Sequence, residues 1–163
     1  MTQTTTGWGY CRQLNSPVFQ FALEKDSLLE IDVVASEQNL SKLTSHPRLH
    51  KHLRISDDEL RRLYQKAGVT FLPLSGFVAN NAVLESAASG CPILIATAQQ
   101  GGGEPQEGIA RVGLDLEECW AQFEHLLQHR TEIGSSLRTW VEATYSWSAI
   151  GERTRQVLES RHP

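Results

Sequence analysis

Two apolar runs separated by a helix-like segment constrain the fold of this chain more than any other feature. Residues 69–74 and 93–97 are short runs of apolar and β-branched residues, the first halted by Pro73, and such runs predict buried strands. Between them Asn80 is a good helix cap, and apolar or small residues recur at helical spacing until Gly90. The pattern predicts a strand–helix–strand unit.

This unit also predicts where a ligand binds. A parallel strand pair joined by a helix crosses over right-handed, which places the loop 74–79 and the helix N-terminus at the carboxyl edge of the sheet. Free N–H groups of the first helical turn suit phosphate. Glu85, one turn further in, has the acceptor oxygens to bind a vicinal diol. The alternative is that Glu85 only interacts favourably with the helix dipole.

The flanking segments continue the alternation of strands and helices. Ser56 and Glu59 form a capping box at the start of a helix over 57–66, in which Leu60 and Tyr64 lie on the apolar face. The other predicted elements are helices over 17–25, 116–129 and 133–143, a short helix ending near Ser45, and strands over 28–35, 49–53 and 109–113. The polar, Thr-rich residues 1–6 are predicted to be a disordered tail. Residues 7–163 are predicted to form a single α/β, Rossmann-like domain with a mainly parallel sheet flanked by helices.

Composition narrows the class of protein. The 163 residues suffice for one well-buried domain, and the net charge of −4 with a pI near 5.8 gives no electrostatic footprint for nucleic acid. No apolar run approaches the length of a transmembrane helix, and the start lacks the pattern of a secretory signal. The three cysteines, Cys11, Cys91 and Cys119, fit neither a disulfide framework nor a zinc motif. A cytoplasmic protein with reduced thiols is expected.

Short motifs resemble the donor-binding segment of retaining GT-B glycosyltransferases, the nucleotide-sugar-dependent group that includes the sucrose synthases. The motifs are Leu72-Pro73, Ala79-Asn80-Asn81, Leu84-Glu85-Ser86 and Gly90-Cys91-Pro92, together with the Ser-Asp-Asp-Glu-Leu run at 56–60. In that family they lie in the C-terminal, nucleotide-sugar-binding domain of an enzyme with two Rossmann-like halves. The resemblance implies that this chain is one such half.

The resemblance also implies roles for particular residues. Glu85 matches the family glutamate that binds the ribose of the nucleotide. Asn80 and Asn81 would face the diphosphate at the helix N-terminus. The loop that begins with Ser75 and Gly76 would border the transferred sugar. Phe77 stands where the family often has an acid facing that sugar.

Arg12 completes the set of candidate binding residues. In the resembled family a Gly-Arg pair after the first strand, with a lysine a few residues later, holds the donor diphosphate. Arg12 is the counterpart of that arginine, but no lysine follows before Lys25. A guanidinium binds phosphate bidentately by itself. The alternative is that Arg12 is an ordinary solvated side chain.

No metal and no cofactor are expected, because the nucleotide sugar is the substrate and helix dipoles and cations hold its diphosphate in the resembled family. Histidines crowd in two places, but no cysteine or carboxylate completes either set convincingly; they are His46, His50 and His52, and then His125 and His129. Surface or helix-end histidines are therefore favoured over a metal site.

The end of the chain resembles the last segment of the same family, where Tyr145-Ser146-Trp147 precedes a final helix. Trp147 is predicted to anchor this helix to its own domain. The alternative is that the apolar face of the helix, with Ile150, Val157 and Leu158, is exposed or meets another chain.

The resemblance implies a glycosyltransferase of the hexosyltransferase type that binds a UDP-, GDP- or ADP-sugar. No catalytic acid, base or nucleophile is evident, so the chain is expected to need an acceptor-binding half from a partner polypeptide or from the remainder of a longer parent chain. Two alternatives stay open: a non-catalytic, degenerate GT-B-like module for binding or assembly, and a nucleotide-sugar epimerase-like domain.

Overall fold

The computed structural model describes residues 3–8, 15–74, 81–98 and 108–160. The strands are β1 (Gln3–Trp8), β2 (Leu29–Val34), β3 (Leu49–His52), β4 (Ala67–Leu74), β5 (Ile93–Thr97) and β6 (Ile109–Val112). The helices are α1 (Asn15–Lys25), α2 (Glu37–Leu40), α3 (Asp57–Lys66), α4 (Asn81–Ala88), α5 (Leu116–Gln128), α6 (Arg130–Tyr145) and α7 (Trp147–Ser160). Strands and helices alternate from β1 to β5, as the sequence predicts.

The six strands form one parallel sheet in the order β3-β2-β1-β4-β5-β6. The chain builds outward from β1 to β3, returns across the sheet through α3, and then builds outward from β4 to β6. This order is that of a doubly wound Rossmann-like sheet, and its direction switches between β1 and β4. The predicted fold class is confirmed.

Helices cover both faces of the sheet, and β4 shows how the residues divide. Every residue of β4 is buried, as expected for a parallel strand between two helical layers. Phe71 faces the layer of α1 and α5, where an apolar cavity of about 50 Å³ remains. Its neighbour Thr70 faces the opposite layer and bonds to Ser86 of α4. The period of two along a strand accounts for this alternation.

Two predictions about strands need correction. Gln3–Trp8 forms β1, paired with β2 on one side and β4 on the other, so the disordered tail predicted for residues 1–6 is wrong from Gln3 onward. Threonine is β-branched and favours extended backbone, a preference that outweighs the polarity of this segment. Pro73 does not end β4 either: it pairs in register with Ala96, and the strand continues to Leu74.

The short helix predicted near Ser45 is also misplaced, because α2 ends at Leu40. A backbone turn follows, in which the N–H of Leu43 donates to the carbonyl of Leu40. Leu40 and Leu43 are both buried, so their apolar spacing reflects core packing beyond the end of the helix.

The predicted capping box at the start of α3 is confirmed. The Ser56 backbone N–H donates to Glu59 Oε2 at 2.9 Å, and the Glu59 backbone N–H donates to Ser56 Oγ at 3.3 Å. The Ser56 backbone N–H and the Ser56 hydroxyl, which also donates to Glu59 Oε2, lower the pKa of the Glu59 carboxyl. The capping box satisfies two N–H groups at the N-terminus of the helix, which explains why this boundary was predicted correctly.

Replacing Ser56 with alanine should lower the free energy of unfolding by about 0.5–2 kcal/mol, because the first turn of α3 loses its side-chain acceptor. Urea denaturation followed by circular dichroism measures the change. Ser41→Ala, at an exposed position after α2, is the matched control and should change stability much less. Equal stability of the Ser56→Ala and wild-type chains would contradict the assigned role of the cap.

The final helix departs from its predicted packing. No residue of α7 is buried, and Trp147 is 90% exposed, so it does not anchor the helix to the domain. Ile150, Val157 and Leu158 are exposed with it. The only described element in substantial contact with α7 is α6, so α7 has an apolar stripe that the described part of the chain leaves uncovered.

None of the helices in the described ranges combines the length and the apolar character needed to cross a membrane.

Candidate functional site

The topology puts one helix terminus beside the switch point of the sheet. β4 ends at Leu74 next to β1, and α4 begins at Asn81 after the connection that follows. The first turn of α4 therefore lies toward the carboxyl edge of the sheet. Open α/β sheets bind ligands in the crevice at this position, and a helix N-terminus there favours an anion.

Two of the predicted site residues share one face of α4. Asn81 and Glu85 are four residues apart, so they lie one above the other on the helix surface, and both are exposed. Ala82, Ser86 and Ala87 form the buried face. The prediction that Glu85 lies one turn inside the helix N-terminus is thus matched by the structure.

The other predicted site residues lie outside the described residues. They are Arg12 in the connection after β1, and Ser75, Gly76, Phe77 and Asn80 in the connection between β4 and α4. Their proposed roles remain predictions.

Tyr64 contacts Glu85, although the sequence pattern indicated only that Tyr64 lies on the apolar face of a helix. Tyr64 lies in the last turn of α3, and its hydroxyl donates to Glu85 Oε2 across 3.4 Å, a long hydrogen bond. The Tyr64 side chain is 1% exposed, whereas Glu85 is exposed. Burial raises the pKa of Tyr64 well above its usual range, and the nearby Glu85 carboxylate raises it further. Tyr64 is therefore a neutral hydroxyl donor at physiological pH.

The raised pKa of Tyr64 predicts a loss of stability in alkali. The folded chain keeps the hydroxyl neutral, whereas the unfolded chain lets it ionise near the ordinary pKa of 10.0. The free energy of unfolding should therefore be constant with respect to this group below about pH 10 and fall as the pH rises above it.

Urea denaturation at a series of pH values from about 8 to 11 measures this effect. The fall above about pH 10 should be smaller in Tyr64→Phe than in the wild type, because phenylalanine does not ionise. Tyr145→Phe is the matched control, since Tyr145 is partly exposed at 42%. Parallel pH profiles of wild type and Tyr64→Phe would contradict the prediction.

Tyr64 and Glu85 lie on the walls of a groove between α3 and α4. Its volume is about 370 Å³, and side chains able to form hydrogen bonds line it together with Leu60 and Ala88; they are Asp57, Arg61, Tyr64, Gln65, Glu85 and Ser89. Carboxylates accept hydrogen bonds, while the guanidinium and amide donate them. The groove is thus suited to a polar ligand with both donors and acceptors.

A buried chain of hydrogen bonds fixes α4 to the sheet beneath Glu85. Ser86 Oγ donates to Thr70 Oγ1 at 2.7 Å, Thr70 Oγ1 donates to Cys91 Sγ at 3.3 Å, and Cys91 Sγ donates to the carbonyl of Ala67 at 3.6 Å. Burial raises the pKa of the Cys91 thiol, so it stays protonated as a donor. The residue next to Glu85 is therefore anchored to β4.

Two arginines of α6 fix the far ends of the groove-forming helices. Arg130 donates to the carbonyl of Gln65 at the end of α3, at 2.8 Å. Arg138 donates to the carbonyls of Ala88 and Ser89 at the end of α4, at 3.3 and 3.1 Å. Cations favour these positions because helix C-termini carry free carbonyl groups and a partial negative charge.

The histidines pair locally. His50 contacts Glu30 at 2.5 Å, and His52 contacts Asp32 at 2.6 Å, both across β2 and β3. The rings of His125 and His129, one helical turn apart, contact each other with their centroids 4.6 Å apart. Within the described ranges, no three histidine, cysteine, aspartate or glutamate residues are grouped so that they would hold a metal ion.

Comparison with known proteins identifies the fold. No protein-family model and no curated protein sequence matches the chain. Among solved structures, it matches the sucrose-phosphate synthase of Thermosynechococcus elongatus with a TM-score of 0.68 at 15% identity, over 97% of this chain and 46% of that one. It matches S. aureus MnaA bound to UDP with a TM-score of 0.61 at 11% identity, over 91% of this chain and 46% of that one. It matches a GtfA/B complex with a TM-score of 0.62 at 13% identity, over 98% and 36%.

The chain therefore spans less than half the length of each of these solved structures. The structures that it matches are GT-B glycosyltransferases and epimerases. Because the identities are low, the likeness concerns the fold alone. The chain has the Rossmann-like fold of one half of a GT-B protein, in agreement with the C-terminal half that its motifs resemble.

Proposed function

We propose that this chain is the donor-binding half of a glycosyltransferase and binds a UDP-, GDP- or ADP-sugar. The observation that carries the proposal is the placement of Glu85. It is an exposed carboxylate one turn inside the N-terminus of α4, on the wall of a polar groove, in a GT-B half. A carboxylate so placed accepts hydrogen bonds from the ribose diol while the helix N-terminus interacts with the diphosphate.

The remaining roles in the proposed site follow from the motifs. Asn81, on the same face of α4 as Glu85, and Asn80 before it would contact the diphosphate. Arg12 would add a guanidinium to the helix dipole, which alone contributes only about 0.3–1 kcal/mol toward an anion. Residues 75–77 would border the sugar, with Phe77 offering an apolar contact in place of an acid.

The proposed contribution to chemistry is electrostatic. In glycosyl transfer from a nucleotide sugar, the bond between the sugar and the diphosphate breaks and negative charge develops on the leaving diphosphate. Preorganised N–H groups of α4 and the Arg12 guanidinium would stabilise that charge. This half supplies no acid, base or nucleophile in the proposal, so it holds and activates the donor without completing the transfer alone.

We propose that a second polypeptide, or another segment of a longer chain, supplies the acceptor half. Two observations support this. The chain spans less than half of the solved structures that it matches, one of which is a complex. In addition, α7 exposes Trp147, Ile150, Val157 and Leu158 on one helix, a stripe suited to packing against apolar side chains of another domain.

Isothermal titration calorimetry of the chain with UDP, GDP and ADP, and with their common sugar conjugates, tests the proposal. One nucleotide should bind saturably, and Glu85→Ala should weaken that binding by about 1–3 kcal/mol, or about 5- to 150-fold in Kd. Glu124→Ala, at an exposed position of α5, is the matched control and should bind like the wild type. Absence of binding at about millimolar nucleotide would overturn the proposal and favour the non-catalytic module.

Analysis of the sugar after incubation distinguishes a donor-binding half from the epimerase-like alternative. A donor-binding half should leave the bound nucleotide sugar unchanged when no acceptor domain is present. Conversion of the sugar to an epimer without an acceptor would favour the epimerase-like alternative, which the same fold accommodates. Thin-layer or anion-exchange chromatography distinguishes the two results.

A further inference from the structure

We infer that Tyr64 is a positioning residue that holds the Glu85 carboxylate for a ribose diol and thereby makes the site select ribonucleotides. This inference rests on the proposed donor-binding function and adds a residue that no local motif assigns to the site. Tyr64 comes from α3 and Glu85 from α4, so only the tertiary fold brings them together. Their contact is the hydrogen bond from the Tyr64 hydroxyl to Glu85 Oε2.

The contact joins a fixed group to a mobile one. The Tyr64 ring is buried, and Arg130 secures the end of α3 immediately beyond it by bonding to the carbonyl of Gln65. Glu85 is exposed and has three rotatable side-chain bonds, so its orientation depends on what its carboxylate contacts. A buried hydroxyl that reaches the carboxylate from below restricts this freedom.

The hydrogen-bonding capacity of Glu85 leaves room for the ligand. A carboxylate has two oxygens and about four acceptor positions. Tyr64 occupies one position on Oε2, which leaves Oε1 and the rest of Oε2 for two further donors. The two hydroxyls of a ribose supply two donors at fixed spacing. A 2′-deoxyribose supplies only one, so it gains less from a carboxylate already held in place.

Tyr64 itself is hardly accessible to a ligand. It is 1% exposed, and its hydroxyl donates to Glu85 and stays protonated because burial and the carboxylate both raise its pKa. The effect of Tyr64 on a ligand therefore passes through Glu85. Ordering an exposed, flexible side chain on binding costs about 0.5–1.5 kcal/mol, and this is the cost that the contact reduces in advance.

The experiment compares ribonucleotide and deoxyribonucleotide binding. Titrations use whichever of UDP, GDP and ADP binds the wild type, together with its 2′-deoxy counterpart. Tyr64→Phe should weaken ribonucleotide binding by about three- to tenfold and leave deoxynucleotide binding within about twofold of wild type. Tyr145→Phe is the matched control, and thermal unfolding of each variant shows that it is folded.

A double-mutant cycle identifies the route of the effect. If Tyr64 acts through Glu85, the Tyr64→Phe substitution should have little further effect on ribonucleotide affinity in a Glu85→Ala chain. An equal loss for ribo- and deoxynucleotides in Tyr64→Phe would mean that the tyrosine only supports the packing of α3 on α4, and the inference would fall. Unchanged ribonucleotide affinity in Tyr64→Phe would have the same consequence.

Failure of the inference is distinguishable from failure of the proposed function. If the wild type binds a ribonucleotide and Glu85→Ala weakens it while Tyr64→Phe does not, only the inference is overturned. If the wild type binds no nucleotide, or Glu85→Ala binds as well as wild type, both are overturned.

A second measurement covers the case in which Tyr64→Phe does not fold. In the chain labelled with 3-fluorotyrosine, the fluorine resonance of Tyr64 should shift with saturating ribonucleotide and shift less with the deoxynucleotide. An unmoved resonance with bound ribonucleotide would overturn the inference.

Discussion

Replacing Gly134 with alanine should destabilise the chain by about 1–3 kcal/mol, although alanine is the better helix former. Gly134 lies in α6 where that helix meets the turn between α4 and β5, and a Cβ there would be 2.3 Å from the carbonyl oxygen of Gly90. Both sides of this contact are backbone, so neither moves as easily as a side chain. Relief of the clash requires α6 to move away from α4, which loosens the buried contacts of Ile133 and Leu137.

Gly151→Ala supplies a matched control within the same chain. Gly151 is also a helical glycine, in α7, but a Cβ there has no atom within 4 Å. That substitution should stabilise the chain by up to about 1 kcal/mol through helix propensity alone. Urea denaturation of both variants measures the two changes. A Gly134→Ala chain as stable as Gly151→Ala would show that α6 shifts at little cost and would contradict the close packing.

The same substitution has a consequence for the proposed site. Arg138 of α6 bonds to the carbonyls at the end of α4, and α4 carries Glu85. Displacement of α6 should therefore displace the groove as well as reduce stability. At a temperature where the Gly134→Ala chain is still folded, its nucleotide affinity should be lower than that of the wild type.

The elements predicted best from sequence are those whose signals are local. The capping box at the start of α3 consists of Ser56 and Glu59, which are close in sequence, and the hydrogen bonds that form it are also local. Gly90 ends the turn after α4 with a positive φ of 72°, a conformation that glycine adopts without strain. The strand β5 combines a β-branched, apolar sequence with complete burial, so propensity and environment agree.

The failures arise where tertiary contacts outweigh local pattern. β1 is polar, and although its threonines favour extended backbone, its place in the sheet comes from pairing with β2 and β4, which are distant in sequence. Trp147 was predicted to anchor the final helix to its own domain, yet it is 90% exposed in the described part of the chain.

The residues of the candidate site also fall into those that the local sequence predicted and those whose contacts depend on the tertiary fold. Glu85 and Asn81 were predicted because their positions follow from one helix and its motif. Tyr64 carried only a core assignment, since its relation to Glu85 depends on how α3 packs against α4. The α6 arginines that hold the ends of these helices are distant in sequence from the groups they contact, Arg130 by 65 residues and Arg138 by 49 and 50. No local signal predicts such contacts.

Arg48 is another long-range contact, and its removal should have a large effect. Its Nη1 donates to the carbonyls of Asp26 and Leu29 at 2.6 and 3.0 Å, and its Nη2 donates to the carbonyl of Leu23 at 2.6 Å. These carbonyls belong to the end of α1 and the turn into β2, and the site is partly buried. Arg48→Ala leaves all three without this charged donor, so the free energy of unfolding should fall by about 2–4 kcal/mol.

Denaturation of Arg48→Ala, Arg48→Lys and Arg61→Ala shows whether the shape of the Arg48 guanidinium or only its charge stabilises the chain. Lysine keeps the charge but lacks the planar fork that reaches three carbonyls, so Arg48→Lys should recover less than half of the loss. Arg61 is largely exposed and forms a long ion pair with Asp58, at 3.6 Å, so Arg61→Ala should change stability by at most about 0.5 kcal/mol. A loss in Arg48→Ala no larger than in Arg61→Ala would contradict the assigned role.

Arg48 also separates stability from binding in a way that Gly134 does not. It joins α1 to the β2–β3 side of the sheet, whereas Glu85 lies on α4 beyond β1. Nucleotide affinity of Arg48→Ala, measured well below its unfolding temperature, should therefore match that of the wild type. If both Arg48→Ala and Gly134→Ala lose affinity equally, binding depends on global stability, and the fixed relation between α6 and the α3–α4 groove is not what holds Glu85 in position.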